Sequence, residues 1–154
     1  MALAEPAHDC PRCPRLVALR EGLRAEYPDW WNAPVPAFGD PEGWLGIIGL
    51  APGKHGANRT GRPFTGDTAG ILLYKTLHKH GLANQAEGAD PSDGLKLKHC
   101  RITNAVKCLP PENKPTNDEI KVCNRFLSAE LAALPDDLVI LALGNIAHQA
   151  VLKA

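Results

Sequence analysis

Trp44-Leu-Gly-Ile-Ile-Gly-Leu50 is a short apolar run bounded by glycine and proline, and it reads as a buried β-strand. A glycine-rich loop, Ala51 to Asp67, follows. Thr68 then stands where a cap belongs, before a helix with Ile71, Leu72, Leu73 and Leu77 on one side that stops at Gly81. The alternation recurs. Cys100-Arg-Ile-Thr-Asn-Ala-Val106 predicts a second strand, and Leu109-Pro-Pro-Glu-Asn-Lys-Pro115 a loop that cannot be regular. Thr116-Asn-Asp-Glu119 is a capping-box sequence opening a helix to about Ala133. Leu138-Val-Ile-Leu-Ala-Leu143 predicts a third strand, continuously apolar and so expected to be buried on both faces. Gly144 begins a last helix. Such strand–helix alternation implies an α/β fold with a parallel sheet and crossover helices. Ligands of such sheets bind beyond the carboxyl ends of the strands, which here means the loops 51–67, 107–115 and 144 onward.

Upstream, residues 1–13 form a polar lead-in. Leu16, Val17, Leu19 and Leu23 leave an apolar stripe for a first helix from Pro14 to about Arg24. Tyr27 to Glu42, with four prolines and two tryptophans, predicts an irregular segment packed by its aromatics. At 154 residues the chain has room for one domain. Its 44% hydrophobic and 22% charged residues suit an ordinary globular protein rather than a disordered one. Seventeen Lys and Arg balance seventeen Asp and Glu, so net charge neither favours nor excludes a nucleic-acid partner. No apolar run approaches the length of a membrane span. The first ten residues lack the basic and apolar regions of a secretory signal, so the expectation is a cytoplasmic protein.

Five cysteines, an odd number in a chain read as cytoplasmic, do not predict disulfides. Cys10 and Cys13 form a C-P-R-C knuckle, which is chance, a redox pair or half a metal site. A redox pair belongs at a helix start in a βαβ unit, not in an N-terminal lead-in. Structural zinc is usually held by two short knuckles, and Cys108 and Cys123 are instead fifteen positions apart. One short and one long thiolate spacing fit an iron–sulfur cluster better than tetrahedral zinc.

The loop after the first strand is not a phosphate loop of the Walker type. Ile48 and His55 stand where that motif needs Gly and Ser/Thr around Gly53-Lys54. The dinucleotide fingerprint fails too, since no helix directly follows the first glycine pair. What remains is a loop rich in backbone N–H groups, with Lys54, Arg59 and Arg62 as phosphate-seeking charges, Phe64 as an aromatic and Asp67 as a carboxylate before a helix. It reads either as a structural Ω-loop or as a pocket for a planar ligand stacked on Phe64.

Three separated motifs carry a resemblance. They are Gly49-Leu-Ala-Pro-Gly53 continuing through His55 to Asp67; Ile102-Thr-Asn-Ala-Val-Lys-Cys108 with Pro110-Pro111 behind it; and the set Cys10, Cys13, Cys108 and Cys123. In these the chain resembles family 5 uracil-DNA glycosylases (the UDGb type), relatives of the iron–sulfur family 4 enzymes. The resemblance implies a three-layer sandwich around a central parallel sheet. It implies a monofunctional hydrolase that releases uracil, and other deaminated bases, from DNA without strand cleavage. The four cysteines would hold a [4Fe-4S] cluster of structural role, with Cys100 a spare, partly buried thiol. Phe64 would stack on a flipped uracil and Asn104 would read its polar edge. Backbone amides around Leu50 and Ala51 would bear charge developing on the base. Asp67 would position or activate water, because Ala51 stands where relatives carry a polar catalytic residue; capping the next helix is its other reading. His55 would face the base or a phosphate, or simply solvent. Lys54, Arg59, Arg62 and Lys107 would contact DNA. Between residues 96 and 125 seven basic residues (Lys96, Lys98, Arg101, Lys107, Lys114, Lys121, Arg125) outnumber three acids, either a solvated face or a track for the DNA backbone.

The family also carries a His-Pro-containing loop after a fourth strand, and nothing after Gly144 supplies it; His148 lies in the last helical segment. The expectation is therefore a single, incomplete domain over residues 1–154, monomeric, with its last strand and helix missing and one sheet edge exposed. The alternatives are an inactive iron–sulfur DNA-binding remnant and a zinc-knuckle interaction module.

Overall fold

A computed structural model of the chain describes residues 5–154. The expectation that the first ten residues carry no export signal lies, for residues 1–4, outside the described residues. Four strands form one sheet: β1 (Phe38–Gly39), β2 (Leu45–Gly49), β3 (Cys100–Asn104) and β4 (Val139–Ala142), in the order β1-β3-β2-β4. β2 runs parallel to both β3 and β4, and β1 pairs antiparallel with β3. The register sets Gly49 directly beside Asn104 at the carboxyl ends of β2 and β3. Both loops expected to carry the chemistry leave from this point.

Side chains alternate across β2, and the two faces receive different helices. Ile47 joins Ile102, Tyr74 and Leu77 under α3 (Ala69–Lys79). Ile48 joins Leu127, Ala147 and Ala150 under α4 (Asn117–Ala133) and α5 (Asn145–Lys153). The result is the expected three-layer sandwich. Each fully buried Ile or Leu in these layers contributes about 1.5–3 kcal/mol. α1 (Pro14–Glu26) buries Leu16, Arg20 and Leu23. The capping box forms as expected: Thr116 Oγ1 accepts from the Glu119 amide, and the Glu119 carboxylate accepts from the Thr116 amide.

Four expectations need correction. The segment read as irregular contributes β1, because the Phe38–Gly39 backbone pairs with Ile102 and Arg101. The loop after β2 holds a one-turn helix, α2 (Ala57–Thr60), closed by Gly61 at φ +82°. Thr68 makes no side-chain capping bond on α3. β4 is not buried on both faces: Val139 is 55% and Leu141 46% exposed. These two are in register with Leu45 and Ile47, but β4 lies at the sheet edge, outside the cover of α3. An apolar sequence run shows what a strand can bury, and a strand's place in the sheet decides whether it does.

Candidate functional site

Gly49 ends β2 without a side chain, and the space a Cβ would take is filled from two sides. A Cβ there would lie 2.5 Å from Asn104 Oδ1 and 2.9 Å from the Phe64 ring. Three residues spread over 55 positions of sequence thus meet at one point, at the strand ends. Asn104 is only 3% exposed, and its Oδ1 finds no hydrogen-bond partner among the described residues. A buried amide oxygen left unpaired is costly, so this acceptor is held ready for a donor that the protein does not supply. The amide nitrogens of Leu50 and Ala51 likewise find no acceptor among the described backbone bonds, while the Gly49 and Leu50 carbonyls are bound by the Ala105 and Val106 amides.

Phe64 adopts φ +54°, an uncommon conformation for an aromatic residue. The surroundings enforce it. Tyr74 Oη donates to the Pro63 carbonyl at 2.5 Å, and Gly70 lies against the Phe64 carbonyl with no room for a Cβ. Arg62 holds Asp93 with two bonds of 3.0 Å, and its guanidinium covers the Phe38 ring at 5.0 Å. That clasp fixes the residue two before Phe64 and holds the Asp93 carboxyl down at about 2. Strain of this kind costs about 1–3 kcal/mol and persists only where neighbours over-determine it.

Asp67 lies over the same loop. Gly53 and Gly56 both face its carboxylate, a Cβ on Gly53 falling 2.7 Å from Oδ2. Its Oδ1 is buried with no partner, and neither Asp67 nor Thr68 caps α3. A groove beside it is lined by Arg59, Thr68, Ile71, Lys75 and Glu87, so solvent reaches its edge.

The expected DNA-contacting residues fare unequally. Lys54 is exposed, above the Tyr27 ring at 5.8 Å. His55 is exposed and meets Trp30 edge-on at 5.2 Å, while Trp30 stacks on Tyr27 at 3.9 Å. Arg59 is committed to the loop, donating to the His55 and Gly66 carbonyls. Arg62 is 5% exposed and taken by Asp93, so it offers no charge to a phosphate. Lys107 is corrected likewise: it is 1% exposed, and its Nζ meets Glu130 at 3.2 Å and Glu5 at 3.4 Å. Arg101, at 2.8 Å from Glu130, joins this network. The basic track is also split. Lys96 and Lys98 precede β3, at the sheet end opposite Asn104, whereas Lys121 and Arg125 are on α4.

Cys10, Cys13, Cys108 and Cys123 line one pocket, between the start of α1 and the middle of α4. Cys123 Sγ accepts from the Lys107 amide at 3.4 Å. Burial pushes the Cys108 thiol to about 12 and the Cys123 thiol to about 11, so a bound cation would have to displace their protons. No three His, Cys, Asp or Glu side chains among the described residues are grouped closely enough to share one metal ion. Arg15 clamps the pocket's two helices together, donating to the Glu119 carboxylate at 2.7 and 3.0 Å. Cys100 stands apart, wholly rather than partly buried in the core under α3.

Two residues of the site escaped sequence reasoning. Gly49 matters for the side chain it lacks, which only the register with Asn104 reveals. Arg20 is buried beside the cysteine pocket, its Nε and Nη1 without hydrogen-bond partners. Its signal was available: Leu16, Arg20 and Leu23 share one helical stripe, and a cation among leucines is out of place.

A model of the uracil-DNA glycosylase superfamily matches residues 36–154. The chain is 49% identical over 150 residues to the type-5 uracil-DNA glycosylase of Thermus thermophilus, covering 93% of this chain and 67% of that protein. It is 44% identical over 149 residues to the type-5 enzyme of Pyrobaculum aerophilum, covering 94% and 66%. Against the type-4 uracil-DNA glycosylase of Archaeoglobus fulgidus it is 34% identical over 116 residues, covering 75% and 50%. The chain therefore spans no more than about two thirds of the length of these relatives. No helix among the described residues is long and apolar enough to cross a membrane.

Proposed function

The chain belongs to the uracil-DNA glycosylase superfamily, to its type-5 branch, and from that membership we propose that it hydrolyses the N-glycosidic bond of uracil flipped out of DNA. The observation that carries this reading is the meeting of Gly49, Phe64 and Asn104, with the Asn104 amide oxygen buried and unpaired. A pyrimidine ring needs a flat apolar surface and a polar partner for its edge. Phe64 supplies the surface, and Asn104 Oδ1 accepts the uracil N3–H. The absence of a Cβ on Gly49 lets the ring, the amide and the strand end converge.

Bond breaking leaves negative charge on the base and positive charge on the sugar. The free amides of Leu50 and Ala51 point the mechanism toward electrostatic stabilisation of the departing base. Ala51 offers no side-chain acid or base. Asp67, unpaired and reached by solvent, is the group suited to orient the attacking water and to face the cationic sugar. The buried Lys107 is held by Thr103 and Glu130, so hydrolysis without strand cleavage is the reading we keep. Lys54 supplies a phosphate contact beside the loop.

The four cysteines fit a [4Fe-4S] cluster by donor chemistry: four sulfurs, one pocket, and a buried guanidinium beside them. When bound, the cluster would supply a covalent cross-link between the segment leading into α1, the loop after β3 and α4, and the reaction would not pass through it. A reducing cytoplasm, where thiols persist and DNA is at hand, suits both halves of the reading.

The test is base release from a uracil-containing oligonucleotide by these 154 residues, purified without air. Release that Asn104→Ala abolishes supports the site as described. No release by a folded chain that contains iron overturns the activity of these residues on their own.

A further inference from the structure

Arg20 is a buried charge that the described residues leave largely unanswered. It lies on the buried stripe of α1, 5% exposed, between Leu16 and Leu23. One nitrogen, Nη2, donates to the Cys10 carbonyl at 3.1 Å. The others, Nε and Nη1, are buried and donate to nothing among the described residues. Glu21, the nearest acid, is largely exposed and no closer than 3.9 Å, beyond hydrogen-bond range. A desolvated cation with two idle donors is unfavourable unless an anion answers it. Arg20 lines the pocket shared by Cys10, Cys13, Cys108 and Cys123, and also the smaller cleft that Cys108 shares with Leu109. Neutral thiols would not answer its charge; thiolates around an iron–sulfur core would.

We propose that Arg20 is the buried counter-ion of the cysteine-held cluster, donating from Nε and Nη1 to its sulfur atoms while Nη2 fixes the Cys10 backbone. This rests on the cluster reading above and goes beyond it, since it assigns a residue that is not a ligand. A thiolate-bound cluster is an anion that becomes more negative on reduction, so a cation beside it favours the reduced form and raises the potential. Donors aimed at sulfur also resist loss of the ligands. Arg20 is thus a positioning and tuning residue, with no contact to the uracil pocket.

The experiment compares the native chain with Arg20→Met and Arg20→Lys, all purified without air and normalised to iron and sulfide content. Three quantities are read: the cluster's midpoint potential, its rate of loss to an iron chelator, and the Arg20 Nε–H resonance of the native chain before and after reduction. The expected result for Arg20→Met is a lower potential and cluster loss about 10-fold faster, in the range for removing an outer partner of a metal site. Arg20→Lys keeps the charge but loses the fork, so its potential stays near native while loss accelerates. In the native chain the resonance shifts on reduction. Potentials and loss rates equal to native in whichever variants fold, or a resonance indifferent to reduction, overturn the inference. A native chain with no iron or sulfide overturns the cluster reading itself, and shows before any variant is compared.

Discussion

At the scale of single residues, the proposed uracil pocket depends on what is absent as much as on what is present. Gly49→Ala would drive a methyl group into Asn104 Oδ1 and the Phe64 ring. The expected outcome is base release lowered by about 100-fold or more with little change in melting temperature, since the collision is local to the pocket. Asn104→Ala and Asp67→Ala should each lower release by about 100-fold as well, the usual scale for one preorganised electrostatic partner. Near-native rates in both would remove these two from the mechanism. Asn104, Phe64 and Asp67 could be named as candidates from the sequence because each stands in a motif long enough to resemble one family. Gly49 stood in the same motif without a role, because a glycine's function lies in its neighbours. Arg62 and Lys107 were misread for a related reason. A basic side chain in sequence carries no sign of whether an acid will be folded against it.

At the scale of elements, charges read as a DNA track instead join layers. Arg101, Lys107 and Glu130 form a buried network between β3, its following loop and α4. Lys107→Met should cost about 1.5–3 kcal/mol in urea unfolding, because Glu130 keeps Arg101 but loses a charged hydrogen-bond partner. The salt dependence of DNA binding should be unaffected by that change, whereas Lys54→Ala should reduce its slope by about 1. The capping box at Thr116 is worth about 1 kcal/mol; Thr116→Ala should show that loss in the same unfolding assay. The Arg62–Asp93 clasp makes a prediction in pH. Hydrogen bonds from Arg62 depress the Asp93 carboxyl from 3.8 to about 2. Its stabilisation is therefore complete above pH 3.8 and disappears as pH falls toward about 2. Acid unfolding of Asp93→Asn should show a smaller loss of stability through that window than the native chain, read by circular dichroism at each pH.

At the scale of the whole molecule, α1 connects two sites that lie far apart in sequence. Cys13 is its N-cap residue at the cysteine pocket, and Tyr27 is its C-cap, stacked on Trp30 against His55. Asn32, buried just beyond, accepts from Asn58 in α2 and donates to the Leu23 and Tyr27 carbonyls. The cysteine pocket therefore lies at one end of a helix whose far end packs on the loop that carries the proposed uracil site. Cys123→Ala should abolish bound iron and loosen α1 first, seen as faster amide exchange over residues 14–26 than over β2 and β3.

The sequence by itself determined the α/β class, three strands, the four longer helices, the capping box and the family, because apolar periodicity, cap chemistry and uninterrupted motifs are local properties. It named the side chains proposed to bind uracil and to hold a cluster. Only the tertiary structure decided which were free to do so. Pairing of β2 with β3 brought Gly49 beside Asn104, and α3 fixed Phe64 in its strained conformation. Packing of α4 sealed Lys107 against Glu130, and the fold left Arg20 at the cysteine pocket with Nε and Nη1 without hydrogen-bond partners among the described residues. The β4 run, apolar enough for a core, stayed exposed because it fell at the edge of the sheet. Burial and electrostatic partnership are relations between distant residues, and only the folded chain sets those distances.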